Sequence, residues 1–222
     1  MIRIGHRGAA GHAPENTVQA IEKAIALGAD LVELDVRRTL DGHLVIVHDA
    51  AVDRTTDGHG AAAELTLAEL GRLTITNDLR IPTLREALET AAGHVGLLLE
   101  LKAEGLAEQV WTEAHTSTAT GVVIYASFFH AELLHIREID PGAKTMALLE
   151  AVPVHPTAFA IDSQATHVGL AFDCLTAPFV QALHHADLPV FTYTVNELAD
   201  IARARALRVD GIISDFPERI EK

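Results

Sequence analysis

Nine short apolar runs punctuate the chain: Arg3–Gly5, Leu31–Val36, Leu44–Val47, Leu97–Leu101, Val122–Ala126, Thr145–Leu149, Val168–Ala171, Val190–Thr194 and Gly211–Ile213. Most are near-continuous rather than alternating, the pattern of parallel strands covered on both faces. Between them, apolar residues recur three and four positions apart, as in Val18/Ile21/Ile25, Leu84/Ala87/Leu88 and Leu198/Ile201/Ala202/Ala204, which predicts amphipathic helices. From Leu97 onward a strand begins roughly every 22–25 residues, the length of one strand–helix unit with tight loops. Repeated βα units of that length build either a (β/α)8 TIM barrel or an open doubly wound sheet.

Nine strands are one too many for the barrel, and Asp41-Gly42 accounts for the surplus. A two-residue turn of that type favours a I′ hairpin, so Leu31–Leu40 and His43–His48 are expected to be antiparallel. Eight parallel strands and one hairpin arm after strand 2 remain, and the barrel is the favoured architecture. No glycine-rich dinucleotide fingerprint follows the first strand, because Gly5-His6-Arg7-Gly8 runs into Ala-Ala-Gly-His-Ala-Pro. The least regular stretch is Asp53–Arg80, with a loop at Asp57-Gly58-His59-Gly60 and a short helix at Leu65–Leu70. It is expected to be a short insertion, about residues 50–80, rather than a second domain. The whole of residues 1–222 is then one domain.

Composition narrows the function classes. Apolar residues make up 49% of the chain, enough for a full core, and no run is long enough to cross a bilayer, so no membrane insertion is expected. A net charge of −14 argues against nucleic acid and anionic membrane surfaces as general partners. The chain enters its first strand with no charged region or long apolar stretch ahead of it, and it carries one cysteine, Cys174, expected to be a small core residue. A cytoplasmic location follows as the expectation. Only four lysines are present, Lys23, Lys102, Lys144 and Lys222, so Lys102 directly after a buried strand is unusual.

The candidate chemistry collects at the strand ends, where barrels of this kind place active sites. If Asp41 and Gly42 are the two loop residues, Arg38 faces Val45 and Asp35 faces His48, with Cβ atoms about 4.5–5.5 Å apart. Glu33, Asp35 and Arg37 share that face by the two-residue period of a strand. Burying two carboxylates unpaired costs several kcal/mol, and a divalent cation removes the cost. Oxygen-only ligands indicate Mg²⁺ or Ca²⁺. Glu100 interrupts an otherwise apolar run and joins the two acids, with Lys102 two residues on. Of thirteen histidines, His6 and His48 fall at the same mouth, and imidazole suits proton transfer in both directions near neutral pH. His12, His43, His59, His94, His115 and the pair His184-His185 are expected to be surface or packing residues. Two acid–base groups, three metal ligands and two fixed cations, Arg7 and Lys102, are what hydrolysis of a phosphate diester requires.

These residues resemble the glycerophosphodiester phosphodiesterase family. The likeness runs through His6-Arg7-Gly8, Pro14-Glu15-Asn16-Thr17, Glu33-Leu34-Asp35-Val36, Asp41-Gly42, His48-Asp49, Arg54-Thr55-Thr56-Asp57-Gly58-His59-Gly60, Pro82-Thr83-Leu84, Glu100-Leu101-Lys102 and Ser127-Phe128. It ends with Thr194-Val195-Asn196 and Asp210-Gly211-Ile212-Ile213-Ser214-Asp215-Phe216-Pro217. The resemblance implies a barrel in which His6 and His48 act as general acid and base. It implies that Glu33, Asp35 and Glu100 hold one divalent metal, with Arg7 and Lys102 on the phosphate. Two positions depart from the family pattern: Leu98 stands where an asparagine is usual and Tyr193 where a tryptophan is usual. Leu98 removes an amide near the metal, whereas Tyr193 keeps an aromatic wall, shared with Phe128, and adds a hydroxyl.

The expected activity is metal-dependent hydrolysis of small glycerophosphodiesters, such as glycerophosphocholine or glycerophosphoethanolamine, to sn-glycerol 3-phosphate and an alcohol. The nearest rival is a phospholipase-type lyase on the same scaffold that releases a cyclic phosphate and stops. A silent phosphodiester binder is disfavoured because all seven site residues are present, and a phosphosugar isomerase because the Asp210–Asp215 stretch is too acidic to grip phosphate. The oligomeric state is not legible in the chain.

Overall fold

In the computed structural model, which describes residues 1–76, 78–117 and 121–221, strands form at all nine predicted places. They are β1 (Ile2–Gly5), β2 (Leu31–Arg38), β3 (Leu44–Ile46), β4 (Gly96–Leu101), β5 (Val123–Ser127), β6 (Lys144–Leu149), β7 (His167–Ala171), β8 (Val190–Tyr193) and β9 (Gly211–Ser214). All but β3 pair in parallel with their neighbours, and β1 bonds both β9 and β2, so the eight close into a barrel. The β3 strand lies outside the ring, antiparallel to β2. Helices α1 (Val18–Ala26), α3 (Leu84–Ala91), α4 (Ala107–Thr116), α5 (His130–Ile139), α6 (Ala158–Asp162), α7 (Ala177–His185) and α8 (Leu198–Ala206) lie between the strands. The short α2 (Leu67–Leu70) belongs to the insertion.

The near-continuous apolar character of the strands has its cause in this closure. Val32, Leu34, Val36, Leu97, Leu99 and Leu101 face the helix layer, where they pack with Ile21, Leu84, Leu88 and Val110. The alternate residues Ile4, Leu31, Leu98, Ile124, Met146, Leu148, Phe191 and Ile213 fill the barrel interior. Following the inward register up β2 leads from Leu31 to Glu33 and Asp35, and up β4 from Leu98 to Glu100. The inner face therefore changes from apolar to acidic at the C-terminal mouth.

The hairpin forms, but its register differs by one residue from the expected one. Val36 pairs with Ile46, Arg37 with Val45 and Arg38 with Leu44, so Asp35 comes opposite Val47 and not His48. The loop has three residues: Thr39 N donates to His43 O at 2.9 Å, and Gly42 N donates to Thr39 O at 3.1 Å. A I′ turn requires positive φ at both central positions, whereas only Gly42 is left-handed here, at φ 86°. Asp41 is held otherwise: its carboxylate accepts from Thr39 Oγ1 at 2.6 Å and from Leu67 N at 3.0 Å. A type I turn followed by a left-handed glycine adds one residue and slips the register.

The insertion carries its own apolar cluster, in which Val45, Val47, Val52, Ala62, Leu70 and Ile81 are buried together. It is thereby anchored on the outer strand β3. Cys174 sits half-buried in the turn Phe172–Cys174 instead of in the core, a correction to its expected place. No helix among the described residues is long and apolar enough to cross a membrane.

One buried acid joins two neighbouring strand–helix units just past the ends of β4 and β5. Glu132 on α5 is 7% exposed, and its carboxylate accepts from Gly105 N, Leu106 N and Ala107 N, each at 2.8 Å, at the start of α4. A negative charge there satisfies end-of-helix donors and complements the helix dipole. Leaving buried donors unsatisfied costs about 1–3 kcal/mol. Glu132→Ala is therefore expected to lower Tm by about 5–10 °C, read by calorimetry. A change under about 2 °C contradicts this account.

Candidate active site

The site begins where β1 leaves the sheet. β1 pairs with β2 only as far as Gly5 opposite Val32, and β3 takes over the same edge of β2 from Val36 onward. Across the gap, other groups satisfy the β2 backbone. Gly8 N donates to Glu33 O at 3.2 Å, Val47 N donates to Asp35 O at 3.0 Å, and Asn16 Oδ1 accepts from Asp35 N at 3.3 Å. The chain folds back this tightly because Arg7 and Gly8 are left-handed, at φ 50° and 91°. A Cβ on Gly8 would lie 2.4 Å from the Ala20 side chain, so only glycine fits against α1.

This turn aims the Arg7 backbone N–H at Glu33 Oε2, 2.8 Å away. The other oxygen, Glu33 Oε1, is buried and has no hydrogen-bond partner among the described residues. Glu33, Asp35 and Glu100 each offer an oxygen such that all three atoms lie within 4.8 Å of one another. Burial, followed by the charges of Asp35 and Glu100, pushes the Glu33 carboxyl well above the usual carboxylate range. Glu100 is also raised, by burial and then by Asp35. Three converging buried carboxylates with an orphaned oxygen fit a hard divalent cation, which takes oxygen ligands and offsets their repulsion.

Two cations already border the cluster. Lys102 Nζ is 2.7 Å from Glu100 Oε1 and 3.5 Å from Asp35 Oδ1. Arg7 Nε stands 3.4 Å from Asp35 Oδ2. Burial disfavours both charges, but the neighbouring carboxylates outweigh it and hold both groups above their ordinary values. Asp35 is fixed further by Asn16, whose Nδ2 donates to Oδ2 at 2.7 Å. Arg37 ties the rim together, donating from Nε to His48 O at 2.9 Å and from Nη1 to Lys102 O at 3.4 Å.

The two histidines each carry a carboxylate partner. His6 Nδ1 lies 2.7 Å from Asp215 Oδ1, at the end of β9, and Asn196 Nδ2 donates to the second oxygen of that acid at 2.6 Å. Burial raises the Asp215 carboxyl, but His6 and Asn196 outweigh it and leave it below its usual range. His48 Nδ1 lies 2.6 Å from Asp49 Oδ1. A ring that donates Nδ1–H to such a carboxylate presents Nε2 as its proton-accepting atom. Burial lowers the His48 pKa, against the upward pull of Asp35 and Asp49.

The sequence-derived set is thus only partly brought into one cavity. His6, Glu33, Leu98, Glu100 and Tyr193 line a narrow space of about 30 Å³, room for a water or two. Asp35, Arg7 and Lys102 border it through the contacts above. His48 is not among the lining side chains; it stands beyond the end of β3, beside Asp49, within the fields of Asp35, Lys102 and Arg7. The Tyr193 hydroxyl donates to Leu149 O at 3.2 Å, and its ring meets Phe128 edge-on at 6.2 Å between centroids. Phe128 is 41% exposed, so it forms an outer rim behind Tyr193.

Sequence reasoning assigned no role to Asp49, Asp215, Asn16, Asn196 or Glu15. Two signals were available: an acid directly follows each of His48 and the last barrel strand, and Glu15-Asn16 sits just ahead of the capped start of α1. Four of the other histidines keep different company: His12 pairs with Glu218, His59 with Asp53 and His184 with Asp210, while His115 stacks on Trp111.

Residues 6–219 match the glycerophosphoryl diester phosphodiesterase family. The chain is 34% identical to the Bacillus subtilis protein YhdW, with 100% of this chain and 97% of that protein covered. It is 33% identical to a glycerophosphodiester phosphodiesterase of Caldanaerobacter subterraneus, with coverages of 98% and 95%. Among solved structures it superimposes on a phosphodiesterase of Oleispira antarctica in complex with the product sn-glycerol-3-phosphate. There the TM-score is 0.93 at 28% identity, covering 99% of this chain and 95% of that one.

Proposed function

The chain belongs to the glycerophosphoryl diester phosphodiesterase family, and on that footing we propose that it hydrolyses glycerophosphodiesters such as glycerophosphocholine and glycerophosphoethanolamine to sn-glycerol 3-phosphate and the free alcohol, using one divalent cation, Mg²⁺ or Ca²⁺. One observation carries the reading: Glu33, Asp35 and Glu100 converge within 4.8 Å, and His6 lines the same cavity as two of them.

Glu33, Asp35 and Glu100 would hold the cation, which when bound supplies positive charge to a phosphoryl oxygen. Arg7 and Lys102 add fixed charge where negative charge grows on the phosphorus centre. They need no reorganisation, because Asp35, Glu15 and Glu100 already lock them in place. One histidine takes the proton of the attacking hydroxyl at Nε2, and the other gives a proton to the departing alcohol oxygen. In the two-stage form of the reaction the glycerol 2-hydroxyl attacks phosphorus and the bond to the alcohol breaks. Water then opens the cyclic ester, with the histidines exchanging roles. Asp49 and Asp215 hold the rings in the tautomer this exchange needs.

Phosphorus NMR of glycerophosphocholine turned over with Mg²⁺ or Ca²⁺ tests the proposal. The expected end product is a phosphate monoester, with any cyclic ester transient. A cyclic ester that persists with no monoester would establish the lyase instead.

A further inference from the structure

The proposed acid–base and phosphate groups are joined by a residue that neither the fold nor the chemistry above has used. Arg54, from the insertion, grips two acids at once. Its Nη1 and Nη2 donate to Glu15 Oε2 and Oε1 at 2.9 and 2.7 Å, and its Nε donates to Asp49 Oδ2 at 2.6 Å. Glu15 Oε1 also accepts from Arg7 Nη1 at 2.8 Å, and Asp49 Oδ1 holds His48 Nδ1. A continuous run of alternating acidic and basic groups therefore reads Asp35–Arg7–Glu15–Arg54–Asp49–His48.

Without Arg54 this run falls into two separate arms, one on the loop after β1 and one on the loop after β3. The geometry is specific to a guanidinium. Three donors leave one rigid plane, two toward one carboxylate and one toward another, and a lysine ammonium cannot reproduce that fork. The Arg54 side chain is 49% exposed, so its removal opens no core cavity and stability is a poor reason for its placement.

We propose that Arg54 is a positioning residue for the diesterase reaction: it locks Asp49 onto His48 and Glu15 onto Arg7, so that the proton-transfer and phosphate-binding groups hold one mutual geometry. The inserted segment then acts in the reaction by delivering this arginine to the mouth. The inference rests on the function proposed above for the same site. The hydrogen-bond partners support it independently of any titration: Asp49 and Glu15 each spend their oxygens on Arg54 and one catalytic-site partner.

The test uses the full chain with glycerophosphocholine and Mg²⁺ or Ca²⁺. Arg54→Ala is expected to lower kcat by about 10–100-fold, the usual size for partners that orient reacting groups, with KM changed by less than about threefold. Arg54→Lys, which keeps the charge, should fall nearly as far, and added guanidinium chloride should restore part of the Arg54→Ala rate. In an Asp49→Asn background, Arg54→Ala should cost less than it does in the unaltered protein, because one of its two links is already weakened while the link to Glu15 and Arg7 remains. A readout independent of turnover is the imidazole nitrogen spectrum of ¹⁵N-histidine-labelled protein, in which the His48 Nδ1–H signal should broaden or shift in Arg54→Ala. If KM rises at unchanged kcat, Arg54 binds substrate and the positioning role is wrong. Full additivity with Asp49→Asn, or an unmoved His48 signal, overturns it equally. Should the unaltered protein fail to hydrolyse the substrate, the proposed function falls, and the His48 spectrum still decides the role of Arg54.

Discussion

Alanine in place of His48 is expected to lower kcat on glycerophosphocholine by about 10²–10⁴-fold, and alanine in place of His6 by a similar factor. Each ring has its Nδ1 on a carboxylate, at 2.6 Å for His48 and 2.7 Å for His6, and in the proposed reaction Nε2 would exchange protons with substrate. The carboxylates make the effect graded: Asp49→Asn and Asp215→Asn keep the shape but weaken the hold on the tautomer, and should each cost about 10–100-fold. The pH profile gives a further check. Burial lowers the His48 pKa below the ordinary imidazole value of 6.5 despite Asp35 and Asp49. A depressed folded value means that His48 is neutral at pH 7, and that its neutral form is lost only as pH falls through that lower value. If His48 is the base of the free enzyme, the acidic limb of kcat/KM lies below 6.5 and disappears in His48→Ala. Near-normal turnover in both alanine variants would falsify histidine acid–base catalysis here.

Removal of divalent cations is the second large effect. Chelation with EDTA should lower the rate by about 10³-fold or more, since charge stabilisation at phosphorus by a cation contributes several kcal/mol. Stability should respond with a definite sign. Glu33 and Glu100 have folded pKa values raised above 4.5, by burial first and by neighbouring carboxylates second. A raised folded value means that the stability these groups contribute is complete below the unfolded value. It is lost as pH rises through the folded one. In EDTA, this contribution should therefore decline as pH rises from about 4.5 through the raised folded values, read at each pH as the difference in Tm between the unaltered protein and Glu33→Gln. Mg²⁺ or Ca²⁺ at 100 times its dissociation constant should restore about 2.7 kcal/mol, or roughly 5–10 °C in Tm. Glu33→Gln should flatten the EDTA profile and abolish the cation response. Full activity after chelation, verified by metal analysis, would end the case for a cation-dependent reaction.

Much of this architecture is legible in the chain. The positions and parallel character of the strands follow from apolar runs buried on two faces, a local property of each segment. Glu33, Asp35 and Glu100 stand out for the same reason: each is an acid on the inward register of a strand otherwise filled by Leu31 and Leu98. His6 could be placed because a residue directly after a barrel strand must lie at the mouth.

His48 shows where that reasoning stops. Asp41-Gly42 announces a hairpin, but whether it closes with two residues or three depends on what Asp41 bonds. Its partners include Leu67, which is 26 positions away. Tertiary hydrogen bonds thus accompany the three-residue loop, from Leu67 N to Asp41, from Leu40 N to Leu65 O and from Gln109 Nε2 to Gly42 O, and in this register Val47 stands opposite Asp35 with His48 past the strand end.

What the sequence by itself determined is the set of inward-facing groups and the order of the elements carrying them, because period and polarity act within one segment. Only the tertiary structure decided their partners. Asp215 reaches His6 across 209 positions, and Arg54 reaches Glu15 across 39. Such pairings arise from barrel closure and from the insertion folding on its own small core. Hydrogen-bond geometry between loops depends on where distant strands end, and no local pattern encodes that.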